Sequence, residues 1–165
     1  MLLVRHSVPE VEPGVPSEEW RLSEEGRKRC GPLAQRLSGF EPRVLLSSTE
    51  PKARETAELV APALGLDVQL SDGLRETERR TVGWLEPHEL ELGIRRLFER
   101  PDEVVYGEES AGAALSRFEA AVEGLPESAV VVSHGTVISL YVAARTGRDP
   151  FELWQSLELP DVVEA

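Results

Sequence analysis

Short apolar runs alternate along this chain with longer stretches in which apolar residues return every three or four positions. Residues 1 to 5 (MLLVR), Val44–Leu46, residues 67 to 70 (DVQL) and residues 129 to 132 (AVVV) read as strands, the last most clearly. Between them the period becomes helical. Cys30, Leu33, Ala34 and Leu37 mark one helix, with Ser23 as its N-cap, Glu24 and Glu25 in its first turn and Gly39 at its end. Pro32 falls inside that pattern and predicts a kink or a split. Pro51 opens a second helix with Ala53, Ala57, Val60, Ala61 and Leu64 on one face and Gly65 beyond its end. Further helices are predicted over residues 88–100, from Ser110 towards Gly124, and from Gly135 to Arg145 with closure at Gly147. Pro9, Pro13, Gly14 and Pro16 make residues 8–20 a loop. The tail from Phe151, with Leu153, Trp154 and Leu157, is assigned no element. Strands alternating with helices predict a three-layer α/β/α sandwich on a mostly parallel sheet. At 165 residues, one domain is expected.

Charge narrows the partners. Eighteen basic against thirty acidic residues leave a net charge of -12, which repels nucleic acid and anionic membranes. An anionic substrate therefore needs a local positive pocket. One cysteine, Cys30, leaves no internal disulfide or cysteine-based zinc site and is expected in the core. The start lacks a basic, cleavable leader, and no apolar run reaches the roughly 20 residues of a membrane span. These features read as a soluble, reduced, cytoplasmic protein.

In a sheet of this kind, ligands bind beyond the carboxyl ends of the strands. The chain puts Arg5-His6-Ser7 after the first strand and Ser47-Ser48, then Lys52 and Arg54, after the second. Leu74-Arg75-Glu76 follows the third, and Ser133-His134-Gly135 the last. Two of three histidines thus directly follow strands; the third, His88, reads as a surface residue. The helix starting near Pro51 aims free N–H groups at the same edge, a natural anion site. Such a set suits phosphoryl transfer. A neutral imidazole attacks phosphorus, cations stabilise the equatorial oxygens, and a carboxylic acid protonates the leaving alkoxide. Glu76 also fits a solvated charged run with Arg75, Glu78, Arg79 and Arg80. Arg54 fits an i+4 pair with Glu58 as well as a substrate contact. Trp20, Trp84 and Trp154 fit the lining of a pocket, although packing in the core or at a rim is the default.

The motifs LLVRHS, LSEEGR (22–27), SSTEPKARETA (47–57), LRE (74–76), GEES (107–110) with Arg117, and VVVSHG occur in that order. In this set the chain resembles the histidine phosphatase superfamily, which includes the phosphoglycerate mutases. The resemblance implies a phosphoglycerate mutase-like fold and a phosphomonoester hydrolase working through a phosphohistidine on His6. Arg5, Lys52 and His134, with Ser7 and Gly135, would hold the phosphate. Glu76 would be the general acid and base, beside Arg5, His6 and His134 in the catalytic group. No metal or organic cofactor is implied, and the expected partner is a small phosphorylated metabolite. Three departures stand out: Ser7 replaces a glycine, the loop from Val8 to Trp20 lacks the family's threonine and asparagine, and Lys52 occupies an arginine position. Mutase activity is the lesser expectation, because members with it are longer. A phosphohistidine-protein phosphatase and a non-catalytic phosphate-binding or interaction protein of the same fold remain as alternatives, although the first branch typically lacks the acid. Residues 8–21 and 77–112 are expected to form lid and pocket wall.

Overall fold

The AVVVS run at Ala129–Ser133 is buried at every position, and it occupies the middle of the sheet. We call it β4. The computed structural model describes residues 1–165. β1 (Leu2–Arg5) and β2 (Val44–Ser48) flank β4 in parallel, and β3 (Val68–Ser71) continues the sheet beyond β2. β5 (Asp161–Glu164) runs antiparallel to β1 at the other edge, giving the order β3-β2-β4-β1-β5. Successive side chains of a strand point to opposite faces. Leu3 and Val131 therefore enter one core, and Val4, Val130 and Val132 the other. Helices α1 (Glu24–Ser38) and α2 (Pro51–Leu64) cover the Val4 face, and Cys30 is buried beneath them as expected. Helices α3 (Pro87–Glu99), α4 (Ala111–Val122), α5 (Gly135–Thr146) and α6 (Pro150–Ser156) cover the Leu3 face. The arrangement is the expected α/β/α sandwich. No helix is long and apolar enough to cross a membrane.

Local signals set most helix ends. Ser23 accepts from Gly26 N–H at the start of α1, and Ser110 accepts from Ala113 N–H at the start of α4. Gly65 and Gly147 close α2 and α5 in left-handed conformations. Two expectations need correction. Pro32 does not split α1, which runs unbroken from Glu24 to Ser38. The cost of the lost backbone bond is offset by the buried stripe of Cys30, Leu33, Ala34 and Leu37 against α2. The tail is also regular. Asp149 caps α6 by accepting from Phe151 and Glu152 N–H, and Val162 and Val163 of β5 pair with Val4 and Leu3.

The register positions the chemistry. Arg5 lies opposite Ser133, and His6 N–H donates to Ser133 O at 3.0 Å. The residues that leave β1 and β4 are thereby placed side by side.

Candidate active site

The His6 and His134 rings meet edge to face, with centroids 5.1 Å apart. Both are buried. His6 Nδ1 lies 2.7 Å from Ser7 O. A carbonyl only accepts, so Nδ1 carries the proton and Nε2 keeps its lone pair. Burial, with His134, Lys52 and Arg5 adding to it, holds His6 well below the usual imidazole range, against a raising effect from the Ser7 bond. Burial likewise holds His134 well below that range, helped by Lys52, Arg117, Arg5 and Arg79. Two neutral imidazoles therefore stand among cations at neutral pH.

The loop after β1 is fastened from behind. Ser7 N–H donates to Thr56 Oγ1 at 3.0 Å, and Ser7 Oγ donates to Gly26 O at 2.7 Å. A Cβ on Gly26 would come within 2.1 Å of Val8 O, so only glycine admits this contact between the loop and α1. Ser7 is the expected phosphate ligand that the structure places elsewhere. It is fully buried, its hydroxyl is spent on α1, and it does not line the cleft.

Arg5 lies across the start of α5. Its Nη1 donates to Leu157 O at 2.6 Å, and its buried Nε has no partner. A Cβ at Gly135 would stand 3.1 Å from Arg5 Cζ, so the glycine leaves room for the guanidinium. His134 Nε2 is 2.9 Å from Ser48 Oγ, while its Nδ1 is buried and unpaired. The open hydrogen-bonding atoms of Arg5 and His134 belong to residues of one cleft.

Glu76 reaches that cleft from the loop after β3. Its two carboxylate oxygens accept from Thr77 N–H at 2.9 Å and from Thr136 N–H at 3.0 Å. It thus sits at the N-terminus of α5. The loop is clasped by Arg117, which donates to the carbonyls of Gly73, Arg75 and Glu76 and grips Glu109 with two nitrogens. This gives the GEES element and Arg117 a structural task. Ser133 Oγ adds a bond to Leu74 O at 2.7 Å.

Lys52 is buried on the first turn of α2. Its Nζ donates to Glu50 Oε2 at 2.6 Å and to Ser17 O at 2.7 Å. Glu50 Oε1 accepts from Glu76 N–H at 2.7 Å and lies 3.7 Å from His134 Nε2. At the start of α2 several of the N–H groups are already engaged. Glu50 N–H goes to Ser48 Oγ, while Ala53 and Arg54 N–H go to Glu50 O. Arg54 points away and pairs with Glu58 at 2.7 Å on the surface.

Arg5, His6, Lys52, Glu76, His134 and Gly135 line one cleft of about 260 Å³. Three features of this site carried no decisive sequence signal. Glu50 sits two residues before Lys52, outside any helical spacing. Arg79 lines the cleft and donates to Tyr106 OH at 2.7 Å, yet it lies in an unpatterned charged run. Trp20, Trp84 and Trp154 come from three separate segments to line the same cleft, with Trp20 and Trp84 centroids 5.9 Å apart. Of the expected wall segments, residues 8–21 contribute Pro9, Val11, Ser17 and Trp20, and residues 77–112 contribute Arg79 and the stretch Gly83 to Ile94 in part. His88 lies exposed on α3.

Solved structures share this architecture. Mycobacterial glucosyl-3-phosphoglycerate phosphatase is 24% identical, with a TM-score of 0.75, over 96% of this chain and 84% of that one. Phosphoserine phosphatase from Entamoeba histolytica, solved with 3-phosphoglyceric acid, is 18% identical, with a TM-score of 0.76, over 98% and 87%. A protein from Thermus thermophilus is 26% identical, with a TM-score of 0.65, over 91% and 87%. No curated protein matches the sequence. The sequence model of the histidine phosphatase superfamily (branch 1) matches residues 1–162. With its two histidines held at adjacent strand ends beside Arg5, the chain belongs to the histidine phosphatase superfamily.

Proposed function

We propose that this protein hydrolyses small phosphomonoesters through a phosphohistidine on His6. The observation that carries the reading is the His6 tautomer: Nδ1–H is committed to Ser7 O, leaving Nε2 as a neutral nucleophile in the cleft. Nε2 attacks phosphorus, and the bond from phosphorus to the ester oxygen breaks. Protonated Glu76 gives its proton to the departing alkoxide. Each Glu76 oxygen has one lone pair engaged by a backbone N–H, which leaves another for that proton. Water then attacks the phosphohistidine, Glu76 takes a proton from it, and the P–N bond breaks to return His6 and release phosphate. Arg5 Nε and His134 Nδ1 are buried polar atoms with no partner in the protein, which suits donation to phosphoryl oxygens when His134 carries its proton on Nδ1. The names of the relatives point the same way, since the two named structural neighbours are phosphatases of small phosphorylated molecules. The proposed steps use these side chains and water, without a metal.

Rapid quench with a ³²P-labelled ester tests this. Acid-labile label should appear on His6, and His6→Ala should lose both label and turnover. Label on a serine, or full activity in His6→Ala, would overturn it. A second reading is a phosphate-binding protein without turnover, favoured by the tie of Lys52 to Glu50, which spends much of the lysine's charge. Tight phosphate binding with no label and no release would select that reading.

A further inference from the structure

The charge in the cleft matches one phosphate and leaves nothing for a second anionic group. Three cations line it, Arg5, Lys52 and Arg79, against the single carboxylate of Glu76. Lys52 is neutralised at 2.6 Å by Glu50. With Glu76 carrying the proton that the proposed mechanism requires, Arg5 and Arg79 remain, and a phosphomonoester dianion balances those two. Arg79 hydrogen-bonds to a neutral group, the Tyr106 hydroxyl, and lines the same cleft as Arg5 and His134. The rest of the lining differs in character. Trp20, Trp84, Leu85, Leu90, Ile94 and Trp154 face the same space. The Trp20 and Trp84 planes are inclined at 43°, and Trp20 Nε1 is already engaged by the carbonyls of Glu12 and Val15. What Trp20 offers a ligand is therefore its apolar face, and the half-exposed Trp84 ring stands beside it. A carboxylate or ammonium laid against the Trp20 face, Leu85, Leu90 and Ile94 would lose its water with no partner there to replace it, whereas a flat ring would stack.

Resting on the phosphatase reading, we infer that the alcohol portion of the substrate is uncharged, flat and largely apolar: the site takes the phosphate ester of an aryl-bearing alcohol in preference to a phosphorylated hydroxy acid or amino acid. Trp84 is a specificity-determining residue at the mouth of the cleft, 42% exposed and so free to meet a ligand.

The test compares esters whose alcohols are all aliphatic, so that leaving-group chemistry differs little: 2-naphthylmethyl phosphate, ethyl phosphate, O-phosphoserine and 3-phosphoglycerate. Phosphate release by the full chain should give a kcat/KM for the naphthylmethyl ester at least about tenfold above each of the other three, the scale on which apolar pockets discriminate. In Trp84→Ala the ratio of naphthylmethyl to ethyl phosphate should fall about tenfold, chiefly through KM, and Trp84→Phe should restore most of it. Turnover of phosphoserine or 3-phosphoglycerate equal to or above that of the naphthylmethyl ester would overturn the inference while leaving the phosphatase reading intact. So would an unchanged ratio in Trp84→Ala. No release from any ester would overturn the phosphatase reading and this inference with it.

Discussion

The floor and the wall of the cleft are built on different principles. On the floor, His6, His134, Glu50 and Lys52 are each at most 7% exposed. Backbone groups orient three of them: Ser7 O holds the His6 ring, Ser17 O holds the Lys52 amine, and Glu76 N–H holds the Glu50 carboxylate. On the wall, Trp84 and Val11 are 42% and 45% exposed, and the segments that carry them have little regular structure. Backbone partners hold an atom in a fixed position, which a reacting group needs. Stacking and apolar contact tolerate more variation in position, which suits the part of a site that selects a substrate. The comparison predicts that floor substitutions destroy rate or stability, whereas wall substitutions redirect preference.

After His6→Ala, which should abolish turnover, the largest rate effect that sharpens this contrast belongs to Glu76. Glu76→Gln keeps the two acceptor contacts in part but cannot hold and release the proton. Turnover of alkyl phosphates should fall by about 10² to 10⁴. Nitrophenyl phosphate, whose leaving group needs less help, should lose much less. Equal losses on both esters would reduce Glu76 to a structural tie between the β3 loop and α5.

Removing one member of the buried pair comes next. Lys52→Ala leaves the Glu50 carboxylate buried without its cation, a loss of about 3–5 kcal/mol by breaking a buried pair. Denaturant unfolding should show it as a lower midpoint with an unchanged slope. Lys52→Arg keeps the charge and adds a second donor direction, and it should retain the fold. A midpoint unmoved in Lys52→Ala would mean that the Glu50 bond to Glu76 N–H alone suffices.

The pH response of the floor is smaller and has a defined sign. Both histidines are held well below their ordinary value of 6.5 in the folded chain, mainly by burial. Once pH drops below that value, the unfolded chain binds protons that the folded chain refuses. Stability therefore rises with pH in this window and is lost as pH falls from 6.5, by up to about 1.4 kcal/mol per pH unit for each histidine. Denaturant unfolding between pH 7 and pH 5.5 should show the decline, and His134→Gln should reduce its slope. A flat profile would place one or both rings in a more solvated setting than the structure shows.

The smallest effect is expected two residues from Lys52. Arg54 and Glu58 pair on the surface with about half of each side chain exposed. Arg54→Ala should change stability by less than about 1 kcal/mol and leave kcat/KM within a factor of two. Abolished activity in this variant would reverse the roles of the two cations on α2.

Much of this outcome was legible along the chain because it depends on near neighbours. Ser23 and Ser110 cap their helices from within three residues, Gly65 and Gly147 close theirs, and the apolar periods mark the faces that the sheet buries. The placement of Arg5-His6 and His134-Gly135 at strand ends follows from the same local patterns. The sequence alone therefore determined the layers and the parallel core strands, and six of the seven residues expected at the site line one cleft. Other features required distant segments to meet. β5 is four residues long and exists as a strand because β1 supplies its partner. Pro32 remains within α1 because α2 buries the face on which that helix depends. Ser7 turned away from the cleft because Gly26 O lay within reach of its hydroxyl. Glu50 became a hub only when the β3 loop brought Glu76 N–H to it, and Arg79 joined the cleft through Tyr106, 27 residues on. Hydrogen bonds and burial at these positions are set by through-space distance, and no period or cap in the sequence encodes which distant group will arrive.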